Sequence, residues 1–390
     1  MSNDREHFEE YREQTRVKHE ILAAYLPAYF HILKAGSNNL VYIDGFAGRG
    51  TYTNADSGAH VDGSPLRALK LIGETPEFAK RVTPIFIESD KVLFEQLEPD
   101  IKAFYEANKQ IREPICLNGT FAESVNEILK RVSALAPTFL FVDPCGVSGT
   151  SLTTIRDVMK NDKCEAFIFF NIDGVRRIAG LDELSQVLVD LMGSRERAQA
   201  LYDELRGTSD VAKREELILS HYRTALREDV GAEFTIPFRV ESEDKEKTSH
   251  YLIHASKHPL GFKIMKDVMW RRGHSEHEAG ALEFAQASRT DFIPLFDQAD
   301  LIKKNILEAL KDGPKRVAVF CENWVCRSDD LLCETAYKQA LLELEASGHI
   351  EVLGKDGTNT APSEARPKRR GKPTLANDYS VRLPVRTPLP

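Results

Sequence analysis

A glycine-rich segment that follows an apolar run is the feature of this sequence best suited to hold a nucleotide-like ligand. The segment is Val41-Tyr-Ile-Asp-Gly-Phe-Ala-Gly-Arg-Gly50, in which Asp44 closes the apolar run. Glycine has no Cβ, so Gly48 and Gly50 let the backbone approach a ligand closely. The glycine spacing differs from the G-x-G-x-x-G fingerprint of dinucleotide sites. The segment therefore predicts a ligand cradle of another kind, with a turn that serves only packing as the alternative.

Acidic and amide side chains end two further apolar runs. The run Thr83-Pro-Ile-Phe-Ile-Glu-Ser-Asp90 lies about forty residues after the first. The carboxyl ends of parallel strands face the ligand side of an α/β sheet, so Glu88 is expected to accept hydrogen bonds from ribose hydroxyls. Asp90 is a second candidate, or the cap of the following helix. A third run ends at Asn118, where a contact to an adenine edge is expected, although Asn-Gly is also an ordinary turn.

A fourth apolar run carries the residues expected to act on a bound group. It is Thr138-Phe-Leu-Phe-Val-Asp-Pro-Cys-Gly146. Pro144 fixes its own φ and holds the preceding residue extended, so Asp143 has a defined direction and can orient an amine for attack. A turn or a helix cap is the alternative for Asp143. Cys145 raises a second idea, covalent attack through a thiolate, but no activating partner is visible in the sequence.

The rest of the sequence predicts the strands and helices that position these residues. A fifth apolar run, Glu165–Asn171, extends the set of parallel strands. Two strand-like runs between 233 and 255 have a short connection, which makes them antiparallel. Helices are expected in an N-terminal segment at 1–37 and in an insertion at about 180–230. The sequence thus predicts an α/β domain over 1–290, whose mainly parallel sheet ends in an antiparallel hairpin.

A second domain is expected over 291–390. Three helices followed by two strands, at 348–353 and 378–383, form the layout of a winged helix. Between these strands, a basic and proline-rich loop at 364–373 is expected to be mobile. Cations of this loop can neutralise phosphates; they are Lys368, Arg369, Arg370 and Lys372. A solvated loop or a protein contact is an equal alternative, because the whole chain carries a formal net charge of −8.

Composition limits the cellular context. The chain is 42% apolar and 29% charged, as in a soluble globular protein. No leader-like apolar segment and no run of about eighteen apolar residues is present, so a cytoplasmic location without membrane contact is expected. The six cysteines are irregularly spaced and are read as reduced thiols. No metal site is expected: Cys321, Cys326 and Cys333 have no completing histidine, and His254 and His258 have helical spacing in a strand-like run.

Six separated blocks resemble the three-Cys-motif partner proteins, abbreviated TcmP, over roughly residues 15 to 275. The blocks are Lys18-His19-Glu-Ile-Leu-Ala-Ala-Tyr-Leu26, Tyr42-Ile-Asp-Gly-Phe-Ala-Gly48, Gly63-Ser-Pro65, Phe86-Ile-Glu88, Asp143-Pro144 with Gly146, and Tyr251-Leu-Ile through His258-Pro-Leu-Gly261 to Met265-Lys-Asp267. The first loop also resembles the S-adenosylmethionine loop of several nucleic-acid methyltransferases. The acid-proline turn resembles that of amino-group methyltransferases.

The resemblance implies a Rossmann-like, class I S-adenosylmethionine-dependent methyltransferase fold, as in bacterial proteins that work beside a separate cysteine-motif protein. It implies an amino group of nucleic acid as the methyl acceptor, oriented by Asp143 with Pro144. The residues implied to hold the cofactor are Asp44, Phe46, Gly48, Gly50, Glu88 and Asn118. The alternative is a methyltransferase-like binding module that acts through its partner protein without catalysis.

Two positions depart from the family pattern. Arg49 stands where the family usually has a proline, and it could add a contact to a phosphate or a carboxylate. Cys145 stands where the family usually has an aromatic residue after Asp-Pro. The second departure removes a surface for stacking or packing, so the substrate pocket is expected to differ from that of the family.

Overall fold

The chain divides into two compact units, Met1–Ala287 and Ser288–Pro390. The computed structural model describes residues 13–53, 60–132, 134–241, 248–275, 295–327, 332–369 and 372–384. Within these ranges, no helix combines the length and the apolar character needed to cross a membrane.

A mainly parallel seven-stranded sheet forms the centre of the first unit. The strands of this unit are β1 (Leu40–Asp44), β2 (Thr51–Thr53), β3 (His60–Asp62), β4 (Val82–Glu88), β5 (Ile115–Asn118), β6 (Thr138–Val142), β7 (Glu165–Asn171), β8 (Phe234–Glu241) and β9 (Thr248–Ser256). The order in the large sheet is β5-β4-β1-β6-β7-β9-β8. Neighbours from β5 to β7 are parallel, and β9 is antiparallel to both β7 and β8. The predicted parallel sheet with a closing hairpin is confirmed.

Helices cover the sheet. They are α1 (Glu13–Leu33), α2 (Ser64–Glu74), α3 (Pro76–Ala79), α4 (Lys91–Ala107), α5 (Phe121–Arg131), α6 (Leu152–Val158), α7 (Ile172–Ala179), α8 (Gln186–Met192), α9 (Arg195–Arg206), α10 (Val211–Glu228) and α11 (Pro259–Ser275). The helical insertion expected at about 180–230 corresponds to α8, α9 and α10. All five residues of β6 are buried, which explains why this strand reads as a continuous apolar run rather than an alternating one.

The centre of the sheet is where the chain changes direction. From β1 the chain runs outward through β4 to β5, and it then returns to β6 on the other side of β1. Ligands of open α/β sheets bind outside the carboxyl ends of the strands at such a switch point. Asp44, the last residue of β1, and Asp143, which follows β6, lie at this edge.

The opposite edge of the sheet holds a buried polar network that attaches α1. The Glu165 carboxylate, at the start of β7, accepts hydrogen bonds from the hydroxyls of Tyr25 and Ser256, and it lies 3.1 Å from His254 Nε2. His254 is therefore a buried strand residue paired with a carboxylate. His258 lies in the turn before α11, where its Nδ1 accepts from the backbone amide of Leu260.

The second unit contains helices and a small antiparallel sheet. Its elements are α12 (Leu295–Leu310), β10 (Lys315–Arg316), a π-helical segment (Val319–Trp324), α13 (Val325–Arg327), α14 (Glu334–Ala346), β11 (Glu351–Leu353), a 3-10 turn (Ser363–Ala365), β12 (Lys368–Arg369), β13 (Lys372–Pro373) and β14 (Ser380–Arg382). The sheet order is β10-β14-β11. The expected pairing of the strands near 350 and 380 is present, with Val352 opposite Val381.

Two further segments of this unit have defined secondary structure. Arg316 lies in β10, where it pairs with Ser380 of β14, and helical residues follow from Val317. The described residues of the loop at 364–373 contain a 3-10 turn and the antiparallel β12–β13 pair. The Arg366 side chain is buried and forms an ion pair with Glu345 of α14.

Candidate functional site

The glycine-rich loop after β1 has the backbone geometry of a ligand cradle. Gly48 and Gly50 have φ values of +66° and +86°, in the left-handed region where L residues with a Cβ are strained. A Cβ on Gly48 would lie 3.0 Å from the Tyr52 hydroxyl oxygen. The loop therefore requires glycine at these two positions for its path, as well as for close approach of a ligand.

Glu88 joins this loop to the end of β4. Its Oε2 accepts a hydrogen bond of 2.8 Å from the Gly48 amide, and its Oε1 accepts one of 2.8 Å from the Asp90 amide. Burial raises the pKa of the Glu88 carboxyl, and these two backbone donors oppose that rise. Glu88 is thus fixed beside the cradle. The Asp90 side chain instead accepts from the Val92 and Leu93 amides, so the helix-cap alternative for Asp90 is confirmed.

Asp44 is a fully buried carboxylate directly before the glycine-rich loop. Its Oδ1 accepts from the Phe46 amide at 3.3 Å, and its buried Oδ2 has no hydrogen-bond partner among the described residues. Burial raises the pKa of Asp44 to about 7, while a hydrogen bond from Ser64 lowers it and the charge of Asp143 raises it. An unpaired buried carboxylate oxygen is costly in a folded protein. It is suited to receive a cationic or N–H donor from a ligand.

The two other residues implied to hold the cofactor border the same loop. The Phe46 ring packs against Phe121 at 5.5 Å between centroids. Asn118, the last residue of β5, donates from Nδ2 to the Glu88 carbonyl at 2.8 Å, which holds the ends of β5 and β4 together. The Asn118 amide therefore has a structural contact at the position where the adenine contact is expected.

Asp143 pairs with a residue that the sequence pattern did not point to. Lys18 of α1 forms an ion pair with Asp143 Oδ2 across 125 residues of sequence. Pro144 is buried next to it, and Cys145 is exposed. The Lys18 ammonium also lies 4.9 Å from the centroid of the Phe169 ring. Lys18 belongs to the first of the six family blocks, but no spacing in the sequence connects it to Asp143.

A short hairpin, β2 with β3, adds a second feature that sequence reasoning missed. It carries Tyr52, whose pKa is raised by burial and by the charges of Asp143 and Asp44. Arg49 lies beside the same tyrosine, and its buried Nε atom has no hydrogen-bond partner in the described ranges. The hairpin therefore borders the glycine-rich loop, since a Cβ on Gly48 would lie 3.0 Å from the Tyr52 hydroxyl oxygen.

The basic residues of the second unit are described in part. Lys368 is exposed on β12, and the backbones of Arg369 and Lys372 pair across the hairpin. Arg370 lies outside the described residues. The described residues also contain no group of three histidine, cysteine, aspartate or glutamate side chains placed to hold a metal ion.

The comparisons with known proteins find matches of low similarity among solved structures, and none among family models or curated proteins. No family model matches the chain, and no curated protein matches it. Protein LPL1258 from Legionella pneumophila str. Philadelphia 1 is 9% identical, and the match covers 68% of this chain and 95% of that chain with a TM-score of 0.39.

Two further solved structures match the chain at similarly low identity. The plantazolicin methyltransferase BamL, in complex with a triazolic desmethylPZN analog and SAH, is 13% identical over 63% of this chain and 87% of that chain, with a TM-score of 0.30. Spermidine synthase, in complex with the transition state analogue AdoDATO, is 11% identical. The match covers 75% of this chain and 76% of that chain, with a TM-score of 0.35. Matches with such low sequence identities and TM-scores do not indicate a function. The strand order and directions themselves define the class of fold, a Rossmann-like fold of the methyltransferase type.

Proposed function

We propose that the chain is an S-adenosylmethionine-dependent methyltransferase that modifies an amino group of a nucleic acid. One observation carries the cofactor part of the proposal: Asp44 Oδ2 is buried without a partner in the described structure, directly beside a loop that needs glycine at 48 and 50. The cradle, the orphaned oxygen and the acid at the end of β4 together fit this cofactor. Membership of the three-Cys-motif partner family is part of the same proposal and rests on the six sequence blocks.

The residues present suit the charge pattern of the cofactor. When bound, S-adenosylmethionine supplies an electrophilic methyl group on a positively charged sulfur. Asp44 would accept a hydrogen bond from the ammonium group at Oδ2. Glu88, already fixed by two backbone amides, has lone pairs left to accept from the ribose hydroxyls. Asn118 and Phe46 would border the adenine end.

Asp143 would orient the methyl acceptor. Its Oδ1 would accept a hydrogen bond from an acceptor N–H, which directs the nitrogen lone pair at the methyl carbon. The bound cofactor would supply the methyl group and its sulfur would keep the C–S electron pair, while Asp143 would hold the acceptor nitrogen. The proton lost from nitrogen passes to the Asp143 carboxylate or to water. If the amine belongs to a duplex, its base must leave the stack.

The second unit supports a nucleic-acid substrate. Its helices, small antiparallel sheet and basic hairpin suit a winged helix, and the exposed Lys368 would contact a phosphate. The neighbouring cations Arg369, Arg370 and Lys372 are assigned the same role. A separate cysteine-motif protein is the proposed partner, on the strength of the family blocks. A cytoplasmic location is proposed because the irregular spacing of the six cysteines is typical of reduced thiols.

Calorimetric titration with S-adenosylmethionine tests the cofactor. We expect the parent protein to bind, and a Gly48→Asp variant to lose binding because its side chain fills the cradle and adds a negative charge. Transfer of a labelled methyl group to single-stranded DNA, duplex DNA and RNA then tests the substrate class. Absence of binding by the parent protein contradicts the proposal at its first step.

A binding module without catalysis is the second candidate, and one contact favours it. Asp143, the proposed acceptor-orienting residue, is already paired with Lys18. An Asp143→Ala variant separates the two candidates. Loss of methyl transfer with cofactor affinity retained supports the enzyme, whereas unchanged function in cells supports the module.

A further inference from the structure

The two oxygens of Asp143 differ in their surroundings. Oδ2 is paired with the Lys18 ammonium, whereas no described residue donates a hydrogen bond to Oδ1. The side chains of Lys18 and Asp143 are only 11% and 14% exposed, so solvent weakens this ion pair less than it would weaken one at the surface. Asp143 therefore has one acceptor oxygen, Oδ1, to which no described residue donates, on a carboxylate whose charge Lys18 largely balances.

Lys18 is held in place from a second direction. Its ammonium lies 4.9 Å from the centroid of the Phe169 ring, within the range of a cation–π contact. Phe169 in turn stacks on His250, with 4.3 Å between ring centroids and 12° between the planes. A cation with both a carboxylate and an aromatic face as neighbours has little freedom to leave the site.

The groups around Lys18 respond to its positive charge. Burial and Lys18 lower the pKa of His250 to about 4, so this imidazole is neutral at physiological pH. The pKa of His19 is also lowered, by burial and by the charges of Lys18 and Arg67. Lys18 lowers the pKa of Asp44 as well, which places its charge within reach of this carboxylate.

We propose that Lys18 is a specificity-determining residue that makes the acceptor side of the site select a neutral amino group over a protonated amine. The inference deepens the proposed methyltransferase function and depends on it. With Lys18 in place, Asp143 offers a hydrogen-bond acceptor without a net negative charge. An incoming alkylammonium would meet two positive charges, the lysine and the sulfonium, while the charge of Asp143 is already balanced by Lys18 and that of Asp44 by the ammonium group of the cofactor. An exocyclic amine of a nucleobase is uncharged and avoids this repulsion.

Two cofactor analogues test this inference without any knowledge of the substrate. Sinefungin carries a protonated amine in place of the sulfonium methyl, whereas S-adenosylhomocysteine is uncharged at that position. The measured quantity is the ratio of their affinities, from calorimetry on the full chain. Lys18→Met should raise the affinity for sinefungin relative to S-adenosylhomocysteine by about tenfold, because Asp143 becomes an unbalanced carboxylate.

Substitution of Asp143, alone and together with Lys18, should change the affinity ratio in a characteristic way. Asp143→Asn should lower the ratio by about tenfold, because Lys18 then repels the analogue's ammonium alone. The double variant should return close to the parent ratio, since both charges are absent. Lys18→Arg should keep the parent ratio. Lys34→Met is the matched control, because Lys34 follows the other end of α1 and pairs with Glu77.

Each result has a clear meaning. A raised ratio in Lys18→Met, a lowered ratio in Asp143→Asn and a restored ratio in the double variant support the inference. An unchanged ratio with normal S-adenosylhomocysteine binding overturns it but leaves the methyltransferase proposal standing. Equal weakening of both analogues also overturns it, since that result indicates only a structural role. If Lys18→Met does not fold, Asp143→Asn alone decides by whether the ratio falls. No binding of either analogue by the parent protein overturns both proposals.

Discussion

Glu88 Oε2 accepts a hydrogen bond of 2.8 Å from the backbone amide of Gly48, which lies 40 residues earlier in the chain. This contact holds the glycine-rich loop after β1 against the end of β4. Glu88 Oε1 accepts from the Asp90 amide, at the first turn of α4. A single carboxylate therefore fixes the relative position of two segments that both border the cradle.

Substitution of Glu88 with glutamine should weaken both the fold and the cofactor site. Both carboxylate oxygens accept from backbone N–H groups, so the amide NH2 would face one of these donors. We expect a loss of about 1–3 kcal/mol in the free energy of unfolding and about tenfold or more in S-adenosylhomocysteine affinity. Chemical denaturation and calorimetry measure the two effects. Glu98→Gln, at an exposed position on α4, is the control and should change neither.

Cofactor affinity should depend on pH through Asp44. Its pKa is raised to about 7, and an ammonium group binds the ionised carboxylate. The S-adenosylmethionine affinity should therefore be about tenfold lower at pH 6 than at pH 8. Calorimetry across this range measures the change. Asp44→Asn should bind weakly at both values, and a variant that kept the full pH dependence would exclude Asp44 as its source.

The same carboxylate should reduce the stability of the ligand-free protein at neutral and alkaline pH. Its folded-state pKa lies above the ordinary value of 3.8, so its stabilising contribution is complete below 3.8 and is lost as the pH rises through about 7. Asp44→Asn should therefore raise the free energy of unfolding at pH 8 by about 1–3 kcal/mol. The gain should shrink at pH 5. Urea denaturation at the two pH values checks this, and an equal gain at both would contradict the assignment.

Gly48→Ala should weaken cofactor binding through the path of the loop. At a φ of +66° a Cβ costs about 1–2 kcal/mol, and here it would also lie 3.0 Å from the Tyr52 hydroxyl. Gly348→Ala is the matched control, because Gly348 has a φ of +72° with no atom near its added Cβ. Both variants should lose stability. Only Gly48→Ala should lower S-adenosylhomocysteine affinity, and equal affinities in the two variants would remove the loop from the site.

Gly261→Ala should disrupt the buried network at the opposite edge of the sheet. The added Cβ would lie 2.1 Å from Glu165 Oε1 and 2.9 Å from the Tyr25 hydroxyl. We expect a loss of about 3 kcal/mol or more in the free energy of unfolding, because a buried carboxylate would be displaced from its partners. Gly73→Ala in α2 meets only Ile111 at 3.6 Å and should be neutral or stabilising. Thermal denaturation of the two variants compares them.

Much of the α/β unit could be predicted because its signals are local. Buried parallel strands appear as continuous apolar runs, and the residue that ends each run lies at the same edge of the sheet. This rule predicts that Asp44, Glu88 and Asp143 lie at the same edge of the sheet. The antiparallel pair of β8 and β9 followed from the short connection between two strand-like runs.

The sequence by itself determined the order of the strands along the chain, the glycine-rich cradle and the acids that border it, because these depend on residues close in sequence. Only the tertiary structure decided which side chains pair across the fold. Lys18 reaches Asp143 across 125 residues, and Tyr25 reaches Glu165 across 140. Such contacts depend on the position at which α1 packs on the sheet. That position follows from the packing of many side chains at once, and no local spacing encodes it.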